Sequence, residues 1–458
     1  MPQTPWGALE LLRERRPPPG SRGEEAKRRQ RELLFAAMVV CCERQGLANT
    51  GVADLLEVSG LSRGTFYAHF SDRFECYAAA EAEILRLALS VLERRLQDEG
   101  DVERRARGAL EAFVDLAVAQ PAAARTCLVD YYVAGIPAMV PMAAAVETVT
   151  TLARRSLEEI PGGVAMPGEL ARAIVAGFHK VIYNRIASRR TAELPDLVPA
   201  LWDWALSYLD LPGPLRGTVR RPNQRDVGKL PPFAALSSEQ RIIRAFASVA
   251  SEKGYRATTV AEVCAAASVS QTTFYRYFAD KQDLLVAALH SSGAQLLAAA
   301  LPSARRAPDW PRGVKVVVEE TCNFFACEPE FAMLRTTEVY SGGEKALAIR
   351  DRAEMEILRE VLEPALAERP DLSPITLEAT MGAMVGILYE AFHADGAAKL
   401  PRAAPFLTFL ALAPLIGAKP AHEVASSKPT ESRAGEGIEQ LDLRARNVGD
   451  GASDQRQT

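Results

Sequence analysis

Ser62-Arg63-Gly64-Thr65-Phe66-Tyr67-Ala68-His69-Phe70-Ser71-Asp72-Arg73 returns as Ser270-Gln271-Thr272-Thr273-Phe274-Tyr275-Arg276-Tyr277-Phe278-Ala279-Asp280-Lys281, 208 positions further along the chain. The register holds without a gap from Gly46/Gly254 through Asp72/Asp280, as expected of a duplicated unit rather than of chance. Outside the motif, Pro121/Pro329, Asp130/Glu338, Tyr132/Tyr340 and Gly135/Gly343 keep the same spacing. Tyr183/Tyr389 and Leu194-Pro195/Leu400-Pro401 follow at 206, so two residues are lost in between and whole domains are expected to be duplicated.

The residues before and within each copy specify short helices. Thr259 followed by Glu262 has capping-box spacing, so a helix begins there and runs through Val263 and Cys264 to a turn at Ser268-Val269. Ser270 then supplies an N-cap for a second helix from Gln271 to Phe278. In the first copy Val52 to Glu57 is the first helix, Ser59-Gly60-Leu61 the turn and Ser62 the cap, with Gly60 suited to positive φ. Two short helices joined by a tight turn form a helix-turn-helix. The first residues of its second helix meet base edges, while flanking polar groups grip phosphate. Arg63 and Gln271 are thus expected to read bases, Thr65 and Thr273 to meet a base edge or thymine methyl, and Gly64 to let the backbone approach. Tyr67, Tyr275, His69, Tyr277, Arg73 and Lys281 are candidate phosphate contacts, and Thr50, Thr258 and Thr272 complete the DNA-facing set. Phe66, Phe70, Phe274 and Phe278, at i, i+4 spacing, are expected to face the core.

Residues 258–285 resemble the DNA-binding segment of the tetracycline-repressor (TetR) family. The resemblance implies an all-α protein of two tandem units, each a three-helix DNA-binding domain followed by a larger helical domain that binds an effector and dimerises. It also implies pairing through the last two helices of each unit, here about residues 169–189 with 196–209 and 374–394 with 402–416. One chain would supply both halves of an intramolecular pseudo-dimer, with a homodimer as the alternative assembly, on an operator whose half-sites differ. Ligand-gated release from double-stranded DNA follows from the same resemblance, with Phe113, Tyr132, Phe178 and Tyr183 in the first unit and Phe324, Phe325, Tyr340 and Tyr389 in the second as candidate effector contacts. Leu56, Gly51, Phe74 and Cys76 depart from the family pattern in the first copy, and Ser268 replaces a turn glycine in the second. These departures leave open a degenerate protein that acts through protein partners.

At 458 residues the chain exceeds one ordinary core. The expected organisation is a flexible leader at 1–25, DNA-binding domain 26–76, regulatory domain 77–210, linker 211–236, DNA-binding domain 237–285, regulatory domain 286–418 and a disordered tail 419–458. Net charge is −4, but Arg13, Arg15, Arg16, Arg22, Lys27, Arg28, Arg29 and Arg31 precede the first motif, and Arg216, Arg220, Arg221, Arg225 and Lys229 the second. Phosphate responds to local potential rather than to the whole-molecule sum. Seven cysteines without a C-x-x-C pair and five histidines without ligand spacing give no metal site, and most of the cysteines are read as small buried apolar residues. No phosphate loop or nucleophile elbow is present, so neither catalysis nor a cofactor is expected. The most apolar stretch, Phe406 to Ala418, is too short to span a bilayer and reads as a core helix, giving a cytoplasmic protein without membrane contact.

Overall fold

The computed structural model describes residues 3–18, 23–134, 136–160, 167–215 and 235–428. A two-residue hairpin, β1 (Gln3–Thr4) and β2 (Gly7–Ala8), and a short α1 (Leu9–Glu14) precede the first helical array. That array comprises α2 (Glu24–Gln45), α3 (Val52–Ser59), α4 (Arg63–Tyr67), α5 (Arg73–Leu96), α6 (Val102–Ala119), α7 (Pro121–Arg125), α8 (Tyr131–Ala134), α9 (Ile136–Glu159), α10 (Gly168–Ala187) and α11 (Leu194–Leu206). The order recurs in α12 (Ser238–Lys253), α13 (Val260–Ala267), α14 (Gln271–Tyr277), α15 (Lys281–Ala304), α16 (Trp310–Cys327), α17 (Pro329–Met333), α18 (Val339–Ser341), α19 (Gly343–Glu368), α20 (Pro374–Asp395) and α21 (Ala404–Ile416), ending in α22 (Ala418–Ser426). Matching π-helical turns, Thr126–Asp130 and Leu334–Glu338, precede α8 and α18. The protein is all-α apart from the hairpin, among the described residues.

The two arrays meet along α10 and α20, flanked by α11 and α21. Close approach is possible because small residues line this seam. A Cβ on Gly386 would lie 2.6 Å from that of Ala176, and one on Gly177 or Gly382 would collide with Trp204 or Lys180. Polar groups fix the register: Trp204 Nε1 donates to Thr380 Oγ1 at 3.0 Å, and Tyr208 Oη to the Leu410 carbonyl at 3.0 Å. Arg185 donates two hydrogen bonds to Glu378, at 2.8 and 3.0 Å, while Asn184 Nδ2 donates to the same carboxylate at 2.7 Å.

Parts of the segments read as leader and tail carry packed elements. In the segment read as a flexible leader, Trp6 packs 5.4 Å from Phe35, and Leu9 is buried with Ala36 and Val40. These apolar side chains give the segment a packing surface that its Pro-rich composition obscured. The tail likewise begins as α22, which buries Ala421 and Ala425 and whose final carbonyls receive the buried Lys315 ammonium. Residues 429–458 and the linker cations Arg216, Arg220, Arg221, Arg225 and Lys229 lie outside the described residues, as does Arg22.

The segment read as too short to span a bilayer belongs to a longer helical run. Lys281–Ala304, Pro374–Asp395 and Ala397–Ile416 are each long and apolar enough to cross a membrane by length and composition. Between 44% and 61% of each apolar window is buried in the helical body, where α20 lies along α10 and α21 against α16 and α22. Six cysteines are buried and Cys327 is half-buried; burial raises the thiol pKa of Cys41 to about 11 and those of Cys76 and Cys322 to about 12.

Glu81 on α5 is fully buried, and both carboxylate oxygens lack a hydrogen-bond partner. Burial raises its pKa from 4.5 to about 9. The folded state therefore holds a proton that the unfolded chain releases, and stability falls as pH rises from the unfolded value toward the folded one. Denaturant melts should lose on the order of 3 kcal/mol between about pH 5 and about pH 8 through this group, and Glu81→Gln should flatten that slope.

Candidate nucleic-acid interface and effector cavity

Local capping builds both reading helices. Ser62 Oγ accepts from the Thr65 amide at 3.1 Å, and Ser270 Oγ from the Thr273 amide at 3.0 Å, satisfying donors that a helix start leaves free. The preceding turns need a left-handed residue. Gly60 supplies it at φ 68°, ψ 20°, and Ser268 adopts it at φ 54°, ψ 47°, a conformation that costs a non-glycine residue about 1 kcal/mol. Before α13, Thr259 and Glu262 form the full reciprocal box; before α3, Gly51 has no side chain, and only the Asp54 carboxylate reaches back, accepting from the Gly51 amide at 2.7 Å.

With Phe66 and Phe274 fully buried, as read from their spacing, the opposite faces project outward. Arg63, Gly64 and Tyr67 are exposed on α4, as are Gln271, Thr272, Tyr275, Arg276 and Tyr277 on α14. Tyr67 is 51% exposed and Tyr275 57%, so these rings do not belong to the core. Thr65 and Thr273 are half-buried, each with its hydroxyl 2.9 Å from the capping serine.

Other expected DNA contacts take different positions. Thr50 and Thr258 are buried and donate to the Gly46 and Gly254 carbonyls, each at 2.9 Å, so neither presents its hydroxyl to a phosphate. Arg73 donates to the Thr50 and Ala48 carbonyls. Lys281 Nζ donates to the carbonyls of Tyr255 at 2.8 Å, Thr258 at 2.9 Å and Arg256 at 3.3 Å. These cations clasp the loop before the first helix of each motif, because its carbonyls have no helical partners of their own. His69 Nε2 lies 2.9 Å from Gln30 Oε1, and burial, then Arg31 and Lys27, lower its pKa. The arm before the first motif is partly neutralised, with Lys27, Arg28 and Arg29 paired to Glu24, Glu25 and Glu32. Arg16, read from sequence only as part of a basic run, donates to the Gly60 carbonyl in the turn. No local pattern announces that contact, since 44 residues separate the partners.

Behind the first motif, α5, α6, α9, α10 and α11 enclose a cavity of about 170 Å³. Leu85, Leu89 and Leu92 of α5 line one side, and Phe113, Met142 and Phe178 others. His179 and Ser156 are among its few polar neighbours, and burial, then Lys180, lower the His179 pKa to about 4, leaving the ring neutral. Of the expected effector contacts, Phe113 and Phe178 meet here. Tyr183 instead stacks on His179, 6.1 Å between centroids, and the Tyr132 side chain lies outside the described side chains.

The second array places charge where the first is hollow. At a spacing of 208, Met142 and Val146 of the cavity wall correspond to Arg350 and Glu354, and Cys127 to Arg335. Arg335 and Arg350 are buried: Arg335 donates to Glu354 at 3.2 Å and to the Leu289 carbonyl at 2.8 Å, and Arg350 to Asp351 at 2.7 Å. Gly293, the counterpart of Leu85, leaves space for the guanidinium, since a Cβ there would stand 3.5 Å from Arg335 Nη1. Phe324 and Phe325 are core residues packed on each other, and Tyr340 lies against the Arg350 guanidinium, 5.2 Å from centroid to Cζ. Tyr389 packs on His393, 4.3 Å between centroids, so these four do not meet in a comparable cavity.

Residues 242–288, covering α12 to the start of α15, match the family model for bacterial regulatory proteins of the tetR family. No curated protein matches the chain. Similar solved structures include the fatty acid degradation regulator FadR from Bacillus halodurans, 19% identical with a TM-score of 0.35, covering 40% of this chain and 98% of that one. Another is the transcriptional regulator FadR from Bacillus subtilis in complex with stearoyl-CoA, 16% identical with a TM-score of 0.32, covering 38% and 98%. The family match, lying on a complete capped helix-turn-helix, supports a DNA-binding transcriptional regulator.

Replacing Lys281 with Met should loosen the 255–258 loop as well as weaken DNA binding. Hydrogen exchange should show its amides losing protection by about tenfold or more in the free protein, as expected for loss of a charge-assisted contact of about 1.5–3 kcal/mol.

Proposed function

We propose that this protein is a ligand-responsive transcriptional regulator, acting as a repressor, in which one chain carries two readers and engages an asymmetric operator. The observation that carries the proposal is the pair of serine-capped helices, α4 and α14, that expose Arg63 with Tyr67 and Gln271 with Tyr275 while burying the phenylalanines beneath them. Arg offers a guanine its two donors, whereas Gln offers adenine a donor and an acceptor. Different first residues therefore select different half-sites, and the α10–α20 seam supports a single-chain pseudo-dimer.

The first array also supports a route from ligand to reader. Arg73 at the start of α5 clasps the first motif, and leucines further along the same helix line the cavity. An apolar ligand that displaces the distal part of α5 tilts a rigid rod of about 36 Å, at 1.5 Å per residue, and shifts the reader at its other end. The cavity chemistry selects an apolar molecule with little demand for hydrogen bonding. The charged cluster of Arg335, Arg350 and Glu354 at the corresponding place in the second array supports an apolar effector site in the first array alone.

Footprinting should reveal two adjacent major-groove contacts of unlike sequence protected by one chain. Arg63→Ala should relax preference in one half-site and Gln271→Ala in the other, each weakening specific binding by roughly 5- to 150-fold, as for loss of about 1–3 kcal/mol. A symmetric palindrome bound by two chains, each using one reader, would refute the single-chain operator. Ala145→Phe, which fills the cavity, should abolish binding of an apolar fluorescent probe while leaving DNA affinity within about twofold.

A further inference from the structure

We infer that the α10–α20 seam is keyed so that each array accepts the other and rejects a copy of itself, with Arg172, Lys180, Glu378, Gly382 and Glu390 as the specificity-determining residues. The inference rests on the single-chain reading and goes beyond it, because an internal pair need not exclude other pairings. Residues on α10 and α20 correspond at a spacing of 206, and contacts across the seam occur in matched sets. Arg172 pairs with Glu390, while Glu378, the counterpart of Arg172, receives Asn184 and Arg185. Lys180 stands over Gly382, while Gly386, the counterpart of Lys180, stands over Ala176. This is the contact pattern of a two-fold interface, but the chemistry on its two sides is unlike.

Self-pairing fails for a different reason in each helix. A second α10 in place of α20 would put the Ala176 methyl where Gly382 now sits, a place where a Cβ collides with Lys180. Arg172 would then face Asn184 instead of a carboxylate. Lys180 would also lose Asp351, whose counterpart at spacing 208 is Ala143. A second α20 in place of α10 would set Glu378 against Glu390 twice and leave Gly382 opposite Gly386, with like charges in contact and a gap between the backbones. The pairing observed resolves all of these conflicts. Its occupant is the other array of the same chain, and a swapped pairing between two chains is the alternative that experiment can distinguish.

Sedimentation and melting of four full-length proteins test this. The wild type should sediment at the 49.7 kDa chain mass across a roughly 100-fold range of concentration. Glu378→Gln, which removes the pair without creating a new one, should remain monomeric with Tm lowered by roughly 5–10 °C. Glu378→Arg sets the introduced guanidinium against Arg185 and makes α20 self-complementary, because that guanidinium can pair with Glu390 of a second copy, so this variant should form a concentration-dependent dimer. Arg185→Glu with Glu378→Arg should restore the monomer and most of the lost Tm. If Glu378→Arg remains monomeric with no greater loss of Tm than Glu378→Gln, or if the double exchange fails to restore the wild-type behaviour, the keyed seam is overturned while the single-chain reading stands. A wild type that sediments at twice the chain mass overturns the single-chain reading instead, and restoration of that assembly by the double exchange alone then supports the key between chains.

Discussion

The contact of α10 with α20 is the constraint on which the rest of the arrangement depends. Two helices approach this closely only where side chains are missing, and Gly177, Gly382 and Gly386 remove them at the points of approach. Trp204 fills the space beside Gly177, and its hydrogen bond to Thr380 satisfies the buried indole donor. Arg185 and Glu378 are both largely buried, so their attraction acts in a poorly screened setting, and the extra donor from Asn184 offsets part of the desolvation cost. Such a seam fixes the relative placement of the arrays that carry the two readers.

Each reader is held to its array by contacts that use backbone carbonyls as ligands for cations. Arg73 and Lys281 serve the loop before the first helix, and Arg16 serves the turn of the first motif. In the second array Glu338, from the π-helical turn, accepts from the Tyr255 amide at 2.6 Å, and Arg244 donates to Glu328 at 3.2 Å. The exposed faces of the two motifs are thus borne on elements positioned by the larger helical body.

The arrays differ most in their interiors. Apolar side chains surround a cavity in the first, whereas paired arginine and carboxylate groups occupy the corresponding place in the second, with Glu354 Oε2 left without a hydrogen bond. Lys180 lies on α10 one residue beyond His179 of the cavity wall, and it pairs with Asp351 of the charged cluster. The apolar cavity and the charged cluster are therefore joined through one turn of α10.

Much of this was legible in the chain itself. Ser62, Ser270 and the Thr259/Glu262 box fix where helices start because capping is a local interaction, decided by residues three positions apart. The Phe66 and Phe274 spacing likewise fixed which face is buried, and the recurrence at 208 residues pointed to two similar helical orders. Sequence reasoning did not foresee that Thr50 and Thr258 are buried against carbonyls or that Arg73 and Lys281 clasp the loop before each first helix, because a polar residue near a motif looks the same whether it faces a phosphate or a neighbouring carbonyl. Nor could it separate a hollow interior from a filled one, since Phe113 and Phe324 are equally apolar letters, and cavity volume depends on how helices distant in the chain converge. Local hydrogen bonding and periodicity belong to the sequence by itself; the clasped loops, the apolar cavity and the unlike faces of the seam required the tertiary structure, because each is a contact between residues that only folding brings together.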